Sequence, residues 1–395
     1  MSEGVEVKVE DKDKVKVKEL NPDLGFVKEV IKSGGESLKK CYQCATCSVV
    51  CNVTPDDNPF PRKEMIQAQW GLKDELFRNP DIWLCHQCSD CTAYCPRGAK
   101  PGEVLNAIRK ISIQEFSVPG FLARMVNQPM FLLLLLAVPV IALLASGAGH
   151  IPAGPVEFGK PGGFLFSLKY IDPLFTTIAV LALLSLFMGI RKYWSAMSEA
   201  HPATGMPLGT AIKETVKDIL AHKRFDKCET TKARSTAHKL VFYSFIGLFI
   251  TTVLAFGKII LAPRTGYLAY FGYNVNVSAS LLTGLVVVYK IIGNVSAAAL
   301  ITGILLIMSN RMKNAKKAGL GSYYDWLFIT LVAGLGITGL LAELLRVGNV
   351  QAAYPVYVIH LCFVFFLFAY APFSKMAHMF YRATAMVFEK KSGKA

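Results

Sequence analysis

Cys85-His86-Gln87-Cys88-Ser89-Asp90-Cys91-Thr92-Ala93-Tyr94-Cys95-Pro96 is the stretch on which the reading of this chain turns. An earlier run, Cys41-Tyr42-Gln43-Cys44-Ala45-Thr46-Cys47-Ser48-Val49-Val50-Cys51, repeats its spacing, so that both read C-x2-C-x2-C-x3-C. This is the spacing of four-iron clusters, and the second run carries the trailing proline as well. Three close thiolates wrap three irons of a cube, and the fourth iron takes its ligand from elsewhere. In two-cluster ferredoxins the fourth cysteine of each run serves the other cube. By that pattern Cys41, Cys44, Cys47 and Cys95 hold one [4Fe-4S] cluster, and Cys85, Cys88, Cys91 and Cys51 hold the other. Zinc also takes four thiolates, but its sites show pairs of C-x2-C rather than two identical four-cysteine runs. Cys228 and Cys362 lie outside the runs and read as ordinary free thiols. His86, inside the second run, reads as a neighbour that tunes the cluster's potential rather than as a ligand.

Eight of the ten cysteines thus fall within a short early segment of a 395-residue chain. The charged N-terminus lacks the apolar core of a signal peptide, so this segment is expected in a reducing cytosol, where clustered cysteines bind metal more often than they pair. The remainder is different in kind. The chain is 53% hydrophobic, its mean hydropathy is +0.39 and its net charge is +15. A soluble nucleic-acid binder is rarely so apolar, so the basic excess does not indicate nucleic acid. The charge is also uneven: residues 1–119 hold 17 basic and 18 acidic side chains, and residues 120–395 hold 26 and 10.

The pattern predicts an all-α protein in three parts. Residues 1–20 alternate Val with charged residues and read as a disordered tail. Residues 21–119 form a helical, ferredoxin-like domain with two [4Fe-4S] clusters. Helices are expected over Leu24–Ile31, Arg62–Gly71, Lys73–Phe77 and Pro101–Phe116, with prolines at 55, 59, 61 and 80 limiting the short ones. Residues 120–395 form a six-helix transmembrane bundle with crossings near Met130–Ala148, Pro173–Ile190, Leu240–Ala262, Leu281–Met308, Trp326–Leu345 and Pro355–Phe373. Each is close to the roughly 20 residues a crossing needs.

Loop charge orients the bundle. The loops at 191–234 and 311–317 and the tail from Lys375 carry 18 basic residues, against four (Lys160, Lys169, Arg264, Arg346) on the other side. The positive side is cytoplasmic, which puts both termini inside the inner membrane. Within the cytoplasmic loop 191–237, Thr210–Phe225 reads as an amphipathic helix at the membrane surface.

Seven histidines are few. His360 and His378 are 18 residues apart, which on one straight helix is about five turns and roughly 27 Å, one face and one membrane thickness. This suits two stacked haems. His238, at the inner start of the third crossing, is level with His378 and predicts one haem between them. His360 needs an outer partner, and His150 is the histidine available there. His201 and His222 read as surface residues of the loop. Lys290 lies inside the fourth crossing, with Asn294 one turn on, and is expected to meet a quinone carbonyl or a haem propionate, since an intramembrane lysine is functional by default. Glu343 and Arg346 read as a structural pair or a proton relay. Glycines 284, 293, 303, 334, 336 and 339 read as close helix contacts.

Residues 34–96 resemble the C subunit of heterodisulfide reductase, and residues from about 170 onward resemble the haem b subunit of respiratory nitrate reductase. In that second family four histidines on two helices hold two b haems. His238, His360 and His378 match three of the positions, and the fourth falls near Leu248, where this chain has no histidine. The fusion of the two halves is similar to the C subunits of quinone-interacting membrane-bound oxidoreductase complexes of sulfate reducers. The resemblance implies menaquinone as substrate, flavin-containing heterodisulfide reductase A-like subunits as partners, and adenylylsulfate reductase as electron partner. The chain would be a quinone-reactive subunit, not a complete enzyme. A membrane subunit of a heterodisulfide reductase-type complex and a haem-free iron–sulfur anchor are the alternatives.

Overall fold

The computed structural model describes residues 20–56, 58–145, 168–201, 205–222, 232–261, 279–315 and 321–393. The expected tail (bar its last residue, Leu20), His150 and Cys228 lie outside them. Among the described residues the chain is helical, with no strand.

The first domain begins with α1 (Leu24–Lys32), capped by Asp23, whose Oδ1 accepts the Phe26 N–H at 2.9 Å. The Asp23 amide in turn donates to the Gly71 carbonyl at 2.9 Å. Gly71 has φ +70°, and a Cβ there would stand 2.5 Å from the Asp23 carbonyl oxygen, so this junction needs glycine. Short helices follow: α2 (Thr46–Val49), α3 (Arg62–Gln69), α4 (Lys73–Phe77), α5 (Asp81–Leu84) and α6 (Asp90–Ala93). α7 (Pro101–Phe116) is long, starts with proline at its first position and buries Val104, Leu105, Ile108 and Ile111 on one helical face.

The second half is α8 (Gly120–Val126), α9 (Leu132–Leu143), α10 (Leu168–Ala200), α11 (Leu208–Ala221), α12 (Lys232–Leu261), α13 (Ala279–Lys313), α14 (Tyr323–Val347), α15 (Ala353–Ala369) and α16 (His378–Ser392). Among the described residues, four helices are long and apolar enough to cross a membrane: α10, α12, α13 and α14. A fifth exists if α8 and the helix starting at Pro129 count as one span, although they meet at 94°. Of the six expected crossings, four or five are thus seen among the described residues. α15 is apolar but only 17 residues long.

The end of α15 corrects the expected single helix bearing His360 and His378. Pro372 has no N–H to continue the ladder, and Ser374 is extended at φ −109° and ψ −178°. The chain passes through 3₁₀ turns at Ala371–Phe373 and Lys375–Ala377, and a new helix starts at His378. The two histidines therefore stand on separate helices.

α10 also runs past the expected Ile190 to Ala200, and its far end joins α16 and the cluster domain in one hydrophobic core. Trp83 of α5 stacks on Tyr381 of α16 with centroids 5.3 Å apart and planes 18° apart. Phe116 of α7 meets Tyr193 of α10 at 5.2 Å. The two halves share side-chain packing and are not merely strung together. α12 and α13 approach closely at Gly303, where a Cβ would stand 2.9 Å from Val241. α11 buries Ala211 and Thr215 and leaves Leu208, Ile212, Val216 and Leu220 exposed at four-residue spacing, an apolar stripe along one face.

Candidate functional site: two cysteine loops and a histidine-lined cavity

The cysteine runs fold as two copies of one loop. Gln43 and Ala45 in the first, and Gln87 and Ser89 in the second, are left-handed, with φ between 52° and 72°. Each left-handed L-residue costs roughly 1–2 kcal/mol, so four at matched positions indicate a conformation held for a purpose. The Gln43 N–H donates to Cys41 Sγ at 3.4 Å, and the Gln87 N–H to Cys85 Sγ at 3.3 Å. α2 and α6 begin immediately after the second left-handed residue of each loop. The Ala99 N–H donates to Cys95 Sγ at 3.3 Å.

The two runs stand side by side, with Cys91 within electrostatic reach of Cys47 and Cys51 as well as of Cys85 and Cys88. Cys47 lies within electrostatic reach of Cys41 and Cys44, and burial pushes its thiol up to about 11. Cys51 lies within reach of Cys85 and Cys88, and burial pushes it up to about 12. Cys51 thus sits with the second run although it belongs to the first. Burial alone does not favour the thiolates of Cys47 and Cys51 at neutral pH; bound cationic iron would. No three His, Cys, Asp or Glu side chains among the described residues close on one point as around a single ion. A cube offers four separate irons, one per thiolate, and so suits donors set further apart. The first loop is the open one, with Cys44 exposed, while Cys85 and Cys91 are buried.

A cavity of about 1540 Å³ extends from the second loop into the helices. Trp83, His86 and Gln87 line it on the cluster side, then His238, His378 and His360. Asp325 and Glu343 of α14 both line it, and 18 residues of helix between them span about 27 Å. His378 Nδ1 lies 2.5 Å from the Lys375 carbonyl. His360 Nδ1 lies 3.2 Å from the Thr338 hydroxyl. In each case the partner engages Nδ1, so that Nε2 is the nitrogen that would bind a metal. Gly339 is needed beside His360, because a Cβ there would stand 2.8 Å from the ring.

Lys290, Glu343 and Arg346 meet in the same cavity. Lys290 Nζ is 3.1 Å from Glu343 Oε1, and Arg346 Nε is 3.5 Å from Glu343 Oε2. The expected Glu343–Arg346 pair is thus a three-member group that includes Lys290.

His222 was expected at the surface and is not. As the left-handed C-cap of α11 it is buried, with its ring 5.7 Å from that of His238. His201 is only partly exposed. Sequence reasoning also passed over three arginines at the second loop. Arg109 of α7, Arg234 of α12 and Arg382 of α16 all donate to its carbonyls or to that of Ile82 just before it. Their signal was available: Arg234 lies one helical turn before His238, and Arg382 one turn after His378. Buried Asp325 was missed too. It pairs with Lys375 and lies 3.6 Å from Arg311, while Asn106 of the cluster domain donates to it at 3.1 Å.

The fold and these loops define an iron–sulfur protein whose cluster domain is packed on helices long enough to cross a membrane. Residues 37–99 match the 4Fe-4S dicluster domain family. Over 94 residues the chain is 37% identical to a protein of Archaeoglobus profundus described as like the C subunit of heterodisulfide reductase, covering 23% of this chain and 50% of that one. It is 33% identical over 108 residues to the C subunit of the H(2):CoB-CoM heterodisulfide,ferredoxin reductase of Methanothermobacter marburgensis, covering 27% and 56%. The chain spans about half the length of these two relatives. It is also 25% identical over 385 residues to citrate utilization protein B of Escherichia coli, covering 90% of this chain and 92% of that one. No solved structure matches the chain.

Proposed function

We propose that this chain is the membrane electron-transfer subunit of an oxidoreductase complex in the cytoplasmic membrane, with both termini inside. It links menaquinone to flavin- and iron–sulfur-containing heterodisulfide reductase A-like subunits, and through them to adenylylsulfate reductase. Two b haems and two [4Fe-4S] clusters, when bound, supply the one-electron carriers between a two-electron quinol and the soluble partners. The observation that carries this reading is the single cavity lined by His238, His378 and His360 together with the Lys290–Glu343 group and the second cysteine loop.

The chain's own residues have these roles. Cys41, Cys44, Cys47 and Cys95 hold one cluster, and Cys85, Cys88, Cys91 and Cys51 the other; the reach of Cys51 to Cys85 and Cys88 favours this crosswise set. His238 and His378 would hold the inner haem, with His378 oriented by the Lys375 carbonyl. His360, oriented by Thr338, is one ligand of the outer haem, and His150 the other. Lys290 donates a hydrogen bond to a quinone carbonyl, and Glu343 beside it takes one of the two protons released when the quinol is oxidised, the other passing to water. Across the break between α15 and α16 both histidines line the one cavity, which supports this assignment.

The relatives favour one rival. One is named as a C subunit of a heterodisulfide,ferredoxin reductase and another as like such a subunit, which supports a heterodisulfide reductase-type complex with another membrane carrier. A menaquinol analogue added to the purified protein separates the readings. Stoichiometric reduction of b haem and then of the clusters supports the proposal, and no reduction by quinol where dithionite reduces both defeats it. His378→Ala should remove one haem and keep the clusters; retention of both haems would refute that ligand.

A further inference from the structure

Three arginines from three elements grip the backbone of the second cysteine loop. Arg109 donates from Nε to the Ile82 carbonyl and from Nη2 to the Cys85 carbonyl, each at 2.5 Å. Arg382 donates from Nη1 to the same Cys85 carbonyl at 3.1 Å, and its Nη2 lies 2.5 Å from His86 Nε2. Arg234 donates to the Gln87 carbonyl. All three side chains are only partly exposed. On the first loop, the arginine bonded to backbone among the described residues is Arg62, at 3.0 Å from the Gln43 carbonyl, and it is exposed. Arg97 stands 4.0 Å over the Tyr42 ring, also exposed.

Reduction adds one electron to a cluster already carrying negative charge from its thiolates. Fixed cations stabilise the reduced form more than the oxidised form and so raise the potential, and they do so most where water is excluded. Arginine keeps its charge at any accessible pH. Water screens Arg62 and Arg97, and it screens Arg109, Arg234 and Arg382 much less.

We infer that Arg382, with Arg109 and Arg234, forms a cationic collar that raises the potential of the cluster on the Cys85–Cys91 loop above that of the cluster on the Cys41–Cys47 loop. The collar makes the second cluster the membrane-side member of the pair. Arg234 and Arg382 stand on the helices of His238 and His378, so the residues that set this potential are rigidly tied to the proposed inner haem pair. The open first loop, with Cys44, Tyr42 and Val49 exposed, is then the face that meets a soluble redox partner. The membrane-side assignment rests on the proposed electron path; the potential difference needs only the clusters.

The test is a dithionite redox titration of the purified full chain, followed by electron paramagnetic resonance, with each cluster's signal assigned from Cys44→Ser and Cys88→Ser. Arg382→Gln should lower the reduced-to-oxidised ratio of the Cys85-loop cluster about tenfold at fixed ambient potential, or 59 mV for a one-electron couple. The other cluster should stay unchanged. Arg382→Lys, which keeps the charge, should recover most of the shift; a purely structural arginine would not be rescued this way. Unchanged potentials in Arg382→Gln, or a shift confined to the first cluster, overturn the collar. If Arg382→Gln does not assemble, Arg234→Gln carries the same expectation and the same refutation. Haem is read separately from its optical band, so a protein without haem would defeat the proposed electron path while these potentials still decide the collar.

Discussion

Tyr381 offers a direct probe of how the cluster domain is held on the helices. Its side chain is 1% exposed. It stacks on Trp83 at 5.3 Å and also meets Tyr193 at 5.6 Å and Phe116 at 6.3 Å, so one ring joins α5, α7, α10 and α16. Truncating a buried aromatic costs about 3–5 kcal/mol, of which the stacked pair accounts for roughly 0.5–1.5. At about 1.4 kcal/mol per factor of ten, Tyr381→Ala should raise the population of undocked cluster domain roughly 10²–10³-fold. Tyr381→Phe keeps the ring and should cost no more than about 1 kcal/mol. Limited proteolysis in detergent at low protease reads this population, because cleavage then follows the fraction open. The alanine variant should release a fragment ending near the α7–α8 junction at least about a hundred times faster than the parent, and the phenylalanine variant at nearly the parental rate. Equal resistance in parent and alanine variant would refute the claim that this aromatic contact docks the domain.

Other outcomes follow from buried charge. Burial pushes the Glu64 carboxyl up to about 8 from 4.5, with Lys63 at 3.5 Å only partly opposing it. Between those values the folded chain keeps a proton that the unfolded chain has lost, so stability falls as pH rises from 4.5 to about 8. Thermal melts of Glu64→Gln should show a flatter pH dependence and higher stability at pH 8, by up to a few kcal/mol; an unchanged profile would refute the buried acid. Asp325→Asn leaves Lys375 and Arg311 without their shared carboxylate and should cost about 3–5 kcal/mol in denaturant unfolding, with part restored by adding Lys375→Met. A loss under about 1 kcal/mol would mean the pair is solvated.

Local signals foretold local structure well. The cysteine spacing pointed to two like loops, and the backbone repeats even their left-handed residues. Pro101 marked the start of α7, and the prolines around α3 to α5 kept those helices short. Local patterns failed where distant segments decide. The apolar run around His360 hid the effect of Pro372 and Ser374, so two helices read as one. The segment after Lys375 looked like a basic tail because its partners, Trp83 and Trp194, lie far away in sequence. His222 looked like a surface residue because the left-handed turn that folds it onto His238 leaves no periodic mark. Arg234 and Arg382 counted only as loop charge, and Arg109 only as one of the basic residues of an expected helix, until the fold brought them to one loop.

Joint quantification of iron and haem in the purified full chain, with a dithionite-reduced minus oxidised spectrum, is the decisive experiment for the proposed electron path. We expect about eight non-haem irons per chain, from two four-iron cubes, together with two b haems. The same iron content with no b-type band would contradict the path and leave an iron–sulfur anchor with no carriers across the membrane.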